Sequence, residues 1–274
     1  MAISDGAAPF VMVAPNGARR TRADHPALPV TLDETVGTAR ACHAAGADGL
    51  HLHVRDAAGQ HSLDAGRYRE ALSELGRAAP GLAVQITTEA GGLYDVAAQL
   101  TCLEAVAPEW ASVSVREIAR APELADRVYG TCAAQGTRVQ HILYDTADLA
   151  LLRGWQARGL VRHDQTDLLF VLGRYSTGQV SQPSDLGPFL DALPRGSSWM
   201  VCAFGAAEHA CLREAARWGG AVRVGFENSL TDETGMTWAD NAASVAALRR
   251  SLTVAQAPCA ASLSHPLSPM PIGG

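Results

Sequence analysis

The chain has no lysine: all 22 of its basic side chains other than histidine are arginines. That absence closes Schiff-base chemistry, a carbamylated-lysine metal bridge and a phosphate-loop lysine. If a carbonyl is to be activated, a metal has to do it. Aromatic residues are only 5% of the sequence, the formal charge is −6, and there is no basic tract, so a nucleic-acid surface is not expected. No run approaches the roughly 18 uninterrupted apolar residues that a membrane span needs. The stretch Met1–Phe10 lacks the cationic start and apolar run of a signal peptide. The expectation is a soluble, cytoplasmic protein that meets neither membrane nor nucleic acid. None of the six cysteines, Cys42, Cys102, Cys132, Cys202, Cys211 and Cys259, belongs to a CxxC pair, which reads as reduced, mostly buried thiols.

What is present is a large apolar fraction, 47% of 274 residues, enough for one sizeable core. Short β-like runs alternate with helical patterns eight times. The strands read as Phe10–Ala14, Gly49–Val54, Ala83–Thr88, Trp110–Val115, Val139–Tyr144, Asp167–Leu172, Trp199–Phe204 and Ala221–Phe226. Helical patterns begin near Asp33, Ala65, Asp95, Ala125, Thr146, Ser184, Ala207 and Asn241. Thr31 with Glu34 has the spacing of a capping box, and Gly46, Gly136, Gly159 and Gly219–Gly220 stand where helices should stop. With no GxGxxG after the first strand and no GxxxxGK[ST], dinucleotide and phosphate-loop readings lose their support. The even spacing predicts an α/β fold, a (β/α)8 TIM barrel over residues 1–257, followed by an extended tail over 258–274.

In such barrels the site forms at the C-terminal ends of the strands. The second strand reads GLHLHVRD, so His51 and His53 point to one side. Two imidazoles about 7 Å apart along a strand can converge on one metal. Glu227 at the edge of the eighth strand can reach them, because closure places that strand beside the first and the first beside the second. Two histidines with one glutamate and an open position form a recurring catalytic zinc set. The plainer alternatives are inward histidines satisfied by hydrogen bonds and a glutamate in a salt bridge. Arg223 shares parity with Glu227 and should face the interior, where it needs an anionic substrate or an internal partner such as Glu89 or Asp56. Thr87 pairs in parity with Glu89, and Ser112 with Ser114, whose hydroxyl is by default a packing group.

The segments APNGARRTRADHPALPVT, HLHVRDAAGQHSLD, QITTEAGG, FVLG, VCAFG and VRVGFENSL occur in this order and span nearly the whole chain. Together they closely resemble the β-keto acid cleavage enzymes. The resemblance implies a zinc-dependent barrel that reacts a β-keto acid with acetyl-CoA as co-substrate, giving acetoacetate and the CoA ester of the remaining acyl fragment. It implies one Zn2+ per subunit on His51, His53 and Glu227. It also implies roles for Arg223, Thr87 and Ser112, with Asn16 and Arg19 joining Ser112 at the substrate.

Two departures from the family pattern matter. Better-known members carry an aspartate directly after the glutamate ligand, where this chain has Asn228. An amide takes no proton near neutral pH, so Asn228 positions a neighbour or another carboxylate takes the role. Glu89 is the candidate base, standing where many members have glycine. Members acting on an amino-substituted keto acid are acidic at the position of Arg19. A cation there should disfavour such a tail and favour an anionic or neutral polar one, unless Arg19 merely pairs with Asp24. Arg116 and Arg174 are candidates for CoA phosphates or simply solvated side chains. A homo-oligomer is expected from base rates. The rival readings are a metal-dependent hydrolase, a metal-dependent aldolase without CoA and a catalytically silent metal-binding barrel.

Overall fold

The computed structural model describes residues 8–193 and 197–256. The tail expected over 258–274, and Cys259 within it, lie outside the described residues. Eight parallel strands close into a barrel: β1 (Val11–Val13), β2 (Gly49–Leu52), β3 (Ala83–Thr87), β4 (Trp110–Ser114), β5 (Arg138–Leu143), β6 (Asp167–Leu172), β7 (Trp199–Ala203) and β8 (Ala221–Val224). Each pairs with its neighbours in sequence, and β8 pairs with β1, Met12 standing opposite Arg223. The crossovers carry α1 (Leu32–Ala44), α2 (Ala65–Ala78), α3 (Val96–Val106), α4 (Ala125–Gln135), α5 (Thr146–Ala157), α6 (Gly187–Ala192), α7 (Glu208–Arg217) and α8 (Asn241–Gln256). The expected TIM barrel is borne out.

Local chemistry explains several boundaries. Glu34 N donates to Thr31 Oγ1 at 3.3 Å while Thr31 N donates to Glu34 Oε2 at 3.0 Å, which completes the capping box of α1. Gly136 ends α4 in the left-handed region at φ 72°, where a side chain would be strained.

The strands bury both faces, as a barrel wrapped by helices requires. Outward residues such as Leu50, Leu52, Val113, Phe170 and Val201 pack under the helices. Each leucine fully buried in this way contributes about 1.5–3 kcal/mol. Inward residues Met12, Trp110, Leu169, Met200 and Cys202 fill the lower barrel as a second apolar cluster. Above them the inward positions turn polar. The described cysteines, Cys42, Cys102, Cys132, Cys202 and Cys211, are free and buried. Among the described residues no helix is long and apolar enough to cross a membrane.

Two strands stop two residues earlier than expected, both at the site. β2 ends at Leu52, and Val54–Arg55 pairs instead with His61–Ser62 in a small antiparallel ribbon. β8 ends at Val224 because Gly225 turns the chain at φ 137°, and an added Cβ there would come within 2.6 Å of Ala14 O. The sixth helical pattern, expected near Ser184, begins as a 3-10 turn over Pro183–Leu186 and runs into α6.

Candidate active site

His51 closes the inward face of β2, and His53 sits at the break that follows it. The break brings the rings together: their centroids are 4.9 Å apart and the two Nε2 atoms 3.1 Å. Glu227 arrives from the turn after β8, its Oε2 lying 3.7 Å from His51 Nε2 and 3.5 Å from His53 Nε2. Glu227 Oε2 is buried without a hydrogen-bond partner. Gln85 on β3 donates its amide to Gln140 Oε1 at 3.1 Å, leaving its own carbonyl oxygen to accept from His51 Nδ1 at 2.8 Å. That places the His51 proton on Nδ1 and turns the Nε2 lone pair toward Glu227. Burial, and then Arg223, hold the His51 pKa well below its ordinary value, so the ring is a neutral ligand. An orphaned carboxylate oxygen facing imidazole nitrogens is the donor set of a divalent cation site. Among the described residues His51, His53 and Glu227 form such a group.

Arg223 projects from β8 into the same space and is 3% exposed. Its Nη2 donates to Glu227 Oε1 at 3.1 Å and to Cys202 Sγ at 3.3 Å, while Nε and Nη1 have no partner. Its internal partner is therefore Glu227, not Glu89 or Asp56. Burial alone would raise the Glu227 pKa, but Arg223 and then His51 overcome it and hold this carboxylate well below the usual range. A buried guanidinium with free donors beside a cation site is an anion receptor in waiting.

A narrow cavity opens over this group. Thr87, Glu89, Ser114, Tyr144, Arg174 and Phe204 complete its wall. Thr87 Oγ1 accepts from Glu89 N at 3.0 Å, and Arg174 Nη2 lies 3.5 Å from Glu89 Oε1 with its guanidinium 4.7 Å above the Phe204 ring. Glu89 Oε2 is 3.9 Å from His53 Nε2. Burial pushes the Tyr144 hydroxyl well above its ordinary pKa, so it stays a neutral donor. Ser114 lines the cavity, while Ser112 lies one step lower on the same face of β4, buried and with its hydroxyl unpartnered.

The other expected residues divide. Asn16 is buried and donates to Pro29 O at 3.1 Å and His53 O at 3.4 Å, which ties the loop after β1 to the histidine break. Arg55 secures the same loop by donating to Ala18 O at 3.2 Å and Arg20 O at 3.0 Å. Arg19 is exposed and away from the cavity wall. Its neighbour Arg20 is the half-buried one, donating to Asn228 O at 3.2 Å. The Asp24 carboxylate accepts from Thr21 N at 2.7 Å and Thr21 Oγ1 at 3.1 Å. Arg116 is paired to Asp145 at 2.7 Å and Asp148 at 2.8 Å, with its guanidinium 4.6 Å from the Tyr144 ring centre.

Asn228 is buried behind the metal ligand, and its amide donates to Arg223 O at 3.1 Å and Glu208 Oε1 at 3.2 Å. Glu208, the first residue of α7, went unnoticed in the sequence because a glutamate at a helix start is ordinary. Here it is wholly buried, and burial lifts its carboxyl to about 8. Gln85 and Tyr144 had no sequence signal beyond strand parity, while Arg174, read from the sequence as a candidate for CoA phosphates, lines the cavity wall beside Glu89.

Residues 9–263 match a family model described as beta-keto acid cleavage enzyme. The chain is similar to the 3-keto-5-aminohexanoate cleavage enzyme of Fusobacterium nucleatum. The two are 26% identical over 242 residues, covering 80% of this chain and 82% of the relative. It is also similar to the 3-oxoadipate:acetyl-CoA acetyltransferase of Cupriavidus necator, 26% identical over 231 residues, covering 81% of this chain and 80% of the relative. Among solved structures, the apo structure of ObcA superposes with a TM-score of 0.66 at 17% identity, a likeness of fold. That match covers 84% of this chain and 62% of ObcA, so the chain spans less than two thirds of ObcA's length.

Proposed function

The chain belongs to the beta-keto acid cleavage enzyme family, and on that premise we propose that it is a zinc-dependent acyltransferase. It would cleave a β-keto acid against acetyl-CoA, giving acetoacetate and the CoA ester of the remaining acyl fragment. The observation that carries this reading is the meeting of His51 Nε2, His53 Nε2 and the orphaned Glu227 Oε2 beneath a cavity edged by Arg223. Two imidazoles and one carboxylate suit zinc. A zinc ion held there would act as a Lewis acid toward the keto and carboxylate oxygens of the substrate. The acetyl-CoA requirement is supported by the acetyltransferase relative.

The chain's own residues have definable tasks. Arg223 can turn its free, buried Nε and Nη1 donors on the oxygen that gains charge as the keto carbon is attacked. The acetyl methyl must lose a proton to become a nucleophile, and Glu89 is the carboxylate on the cavity wall that is not a member of the metal set. Thr87 fixes the Glu89 backbone, and Arg174 holds its carboxylate toward the cavity. Asn228 takes no proton in this scheme. Tyr144 and Phe204 shape the wall.

The substrate tail is anionic or neutral polar, and the residue that selects it is Arg174 on the cavity wall, since Arg19 faces solvent. The relative named for 3-oxoadipate, a β-keto dicarboxylate, supports that choice. Buried free thiols agree with a reducing cytoplasmic setting, and a symmetric homo-oligomer is the assembly expected from base rates.

The test is to incubate zinc-analysed protein with acetyl-CoA and β-keto acids of differing tail charge, reading acetoacetate and new CoA esters by mass spectrometry. Products that need both acetyl-CoA and bound metal are expected. Metal at one equivalent with no product from any acid would return the metal-dependent aldolase and the silent barrel to the front.

A further inference from the structure

Glu208 lies outside the metal group and outside the cavity wall, yet the turn that carries Glu227 hangs on it. Its Oε1 accepts from Gly225 N at 3.1 Å and from Asn228 Nδ2 at 3.2 Å, so one carboxylate oxygen grips the chain on both sides of Glu227. The same Asn228 amide donates to Arg223 O at 3.1 Å, which adds the arginine's backbone to the group. Gly225 cannot be replaced by a packed side chain, because a Cβ would meet Ala14 O at 2.6 Å, so the turn is held by hydrogen bonds instead. Glu208 Oε2 and Asn228 Oδ1 are both buried without partners. A buried carboxyl retained at that cost, when a leucine would pack more cheaply, calls for a reason.

We propose that Glu208 and Asn228 form one carboxyl–amide unit that positions Glu227 and Arg223, with Glu208 as the positioning residue that acts through Asn228. Such a unit needs an acceptor at 208 and a donor at 228. One oxygen at 208 takes two N–H donors, Gly225 N and Asn228 Nδ2, and one amide nitrogen at 228 serves two acceptors, Glu208 Oε1 and Arg223 O. An amide at 208 keeps the acceptor, whereas a carboxyl at 228 offers no such donor and sets an oxygen against Glu208 Oε1 and Arg223 O. Outer partners of this kind commonly change metal affinity by 10–100-fold. The proposal rests on the reading above only for the zinc site, not for the reaction.

The test compares wild type, Glu208→Leu, Glu208→Gln and Asn228→Asp. Zinc affinity is read by competition with a chromophoric chelator, and acetyl-CoA-dependent turnover is read alongside. Glu208→Leu and Asn228→Asp are expected to hold zinc about 10–100-fold more weakly and to lose turnover more than they change KM. Glu208→Gln, which keeps the acceptor, should stay within a few-fold of wild type on both. Wild-type affinity in Asn228→Asp or Glu208→Leu, or a Glu208→Gln variant as weak as Glu208→Leu, would overturn the proposal. If Glu208→Leu fails to fold, Asn228→Asp decides by itself: folded and weak supports the unit, folded and tight refutes it. Affinities that follow this pattern in a protein yielding no acetoacetate would sink the cleavage reading and leave the positioning unit standing.

Discussion

A methyl placed on Gly17 would come within 2.6 Å of Glu227 Cγ. The loop after β1 thus leaves the space in which the metal-group carboxylate lies, and Gly17 also sits at φ 62°, where a side chain costs about 1–2 kcal/mol. Gly17→Ala is expected to weaken zinc binding about 10–100-fold, read by chelator competition. Unchanged affinity would show that Glu227 is free to move aside.

Gln85 reaches His51 Nδ1 at 2.8 Å and sets which ring nitrogen carries the proton. Gln85→Leu keeps the volume and removes the acceptor. Zinc affinity should fall about 10–100-fold, and equilibrium dialysis with zinc quantified in the protein would show it. An affinity equal to wild type would mean that the His51 ring needs no such guide.

Glu89→Gln keeps the contact with Thr87, which runs through the Glu89 backbone, and removes the basic oxygen. Turnover should drop about 10²–10⁴-fold while one equivalent of zinc stays bound. Near-normal turnover would remove Glu89 from consideration as the base.

Arg174 stands between Glu89 and Phe204 on the cavity wall, where a tail carboxylate can reach it. A charged hydrogen bond is worth about 1.5–3 kcal/mol. Arg174→Gln should therefore lower kcat/KM for a β-keto dicarboxylate by about 10–100-fold relative to an acid with a neutral tail. Steady-state kinetics on the two acids would measure the ratio. An unchanged ratio would place tail recognition elsewhere.

His141 lies on the outer face of β5, its Nε2 donating to Gln165 O at 3.0 Å, and burial lowers its pKa to about 4. The unfolded chain takes up a proton near pH 6.5, the folded one only near 4, so stability falls as pH drops through that window. The His141 share is at most about 1.4 kcal/mol per pH unit. Thermal melts at pH 7, 5.5 and 4.5 should decline less steeply for His141→Gln than for wild type, and parallel slopes would contradict the assignment.

Much of the fold was legible because a barrel strand buried on both faces reads as an apolar run, and its helices carry their own stops, as Thr31 with Glu34 and Gly136 show. The places where expectation and structure part are the ends of β2 and β8. There the alternation of sides that predicts an inward Arg223 continues in sequence, but the backbone has already turned at Gly225. Parity brought His51, His53 and Glu227 to one end of the barrel on paper. It left the imidazoles 7 Å apart, and only the break after Leu52 brings their nitrogens to 3.1 Å.

Arg19 and Arg174 mark the same boundary. A loop arginine's direction depends on which backbone oxygens hold the loop, and Arg55 holds this one from a different segment, leaving Arg19 outside. Glu208 is a sharper case, since nothing near it in sequence separates a capping glutamate from a buried one that grips Gly225 and Asn228. Local periodicity and capping set the order of strands and helices and the faces they bury, and composition supplies the residue types able to bind a metal. Which of those side chains meet is settled only by the closed barrel, because contacts across it depend on how eight separate turns leave their strands.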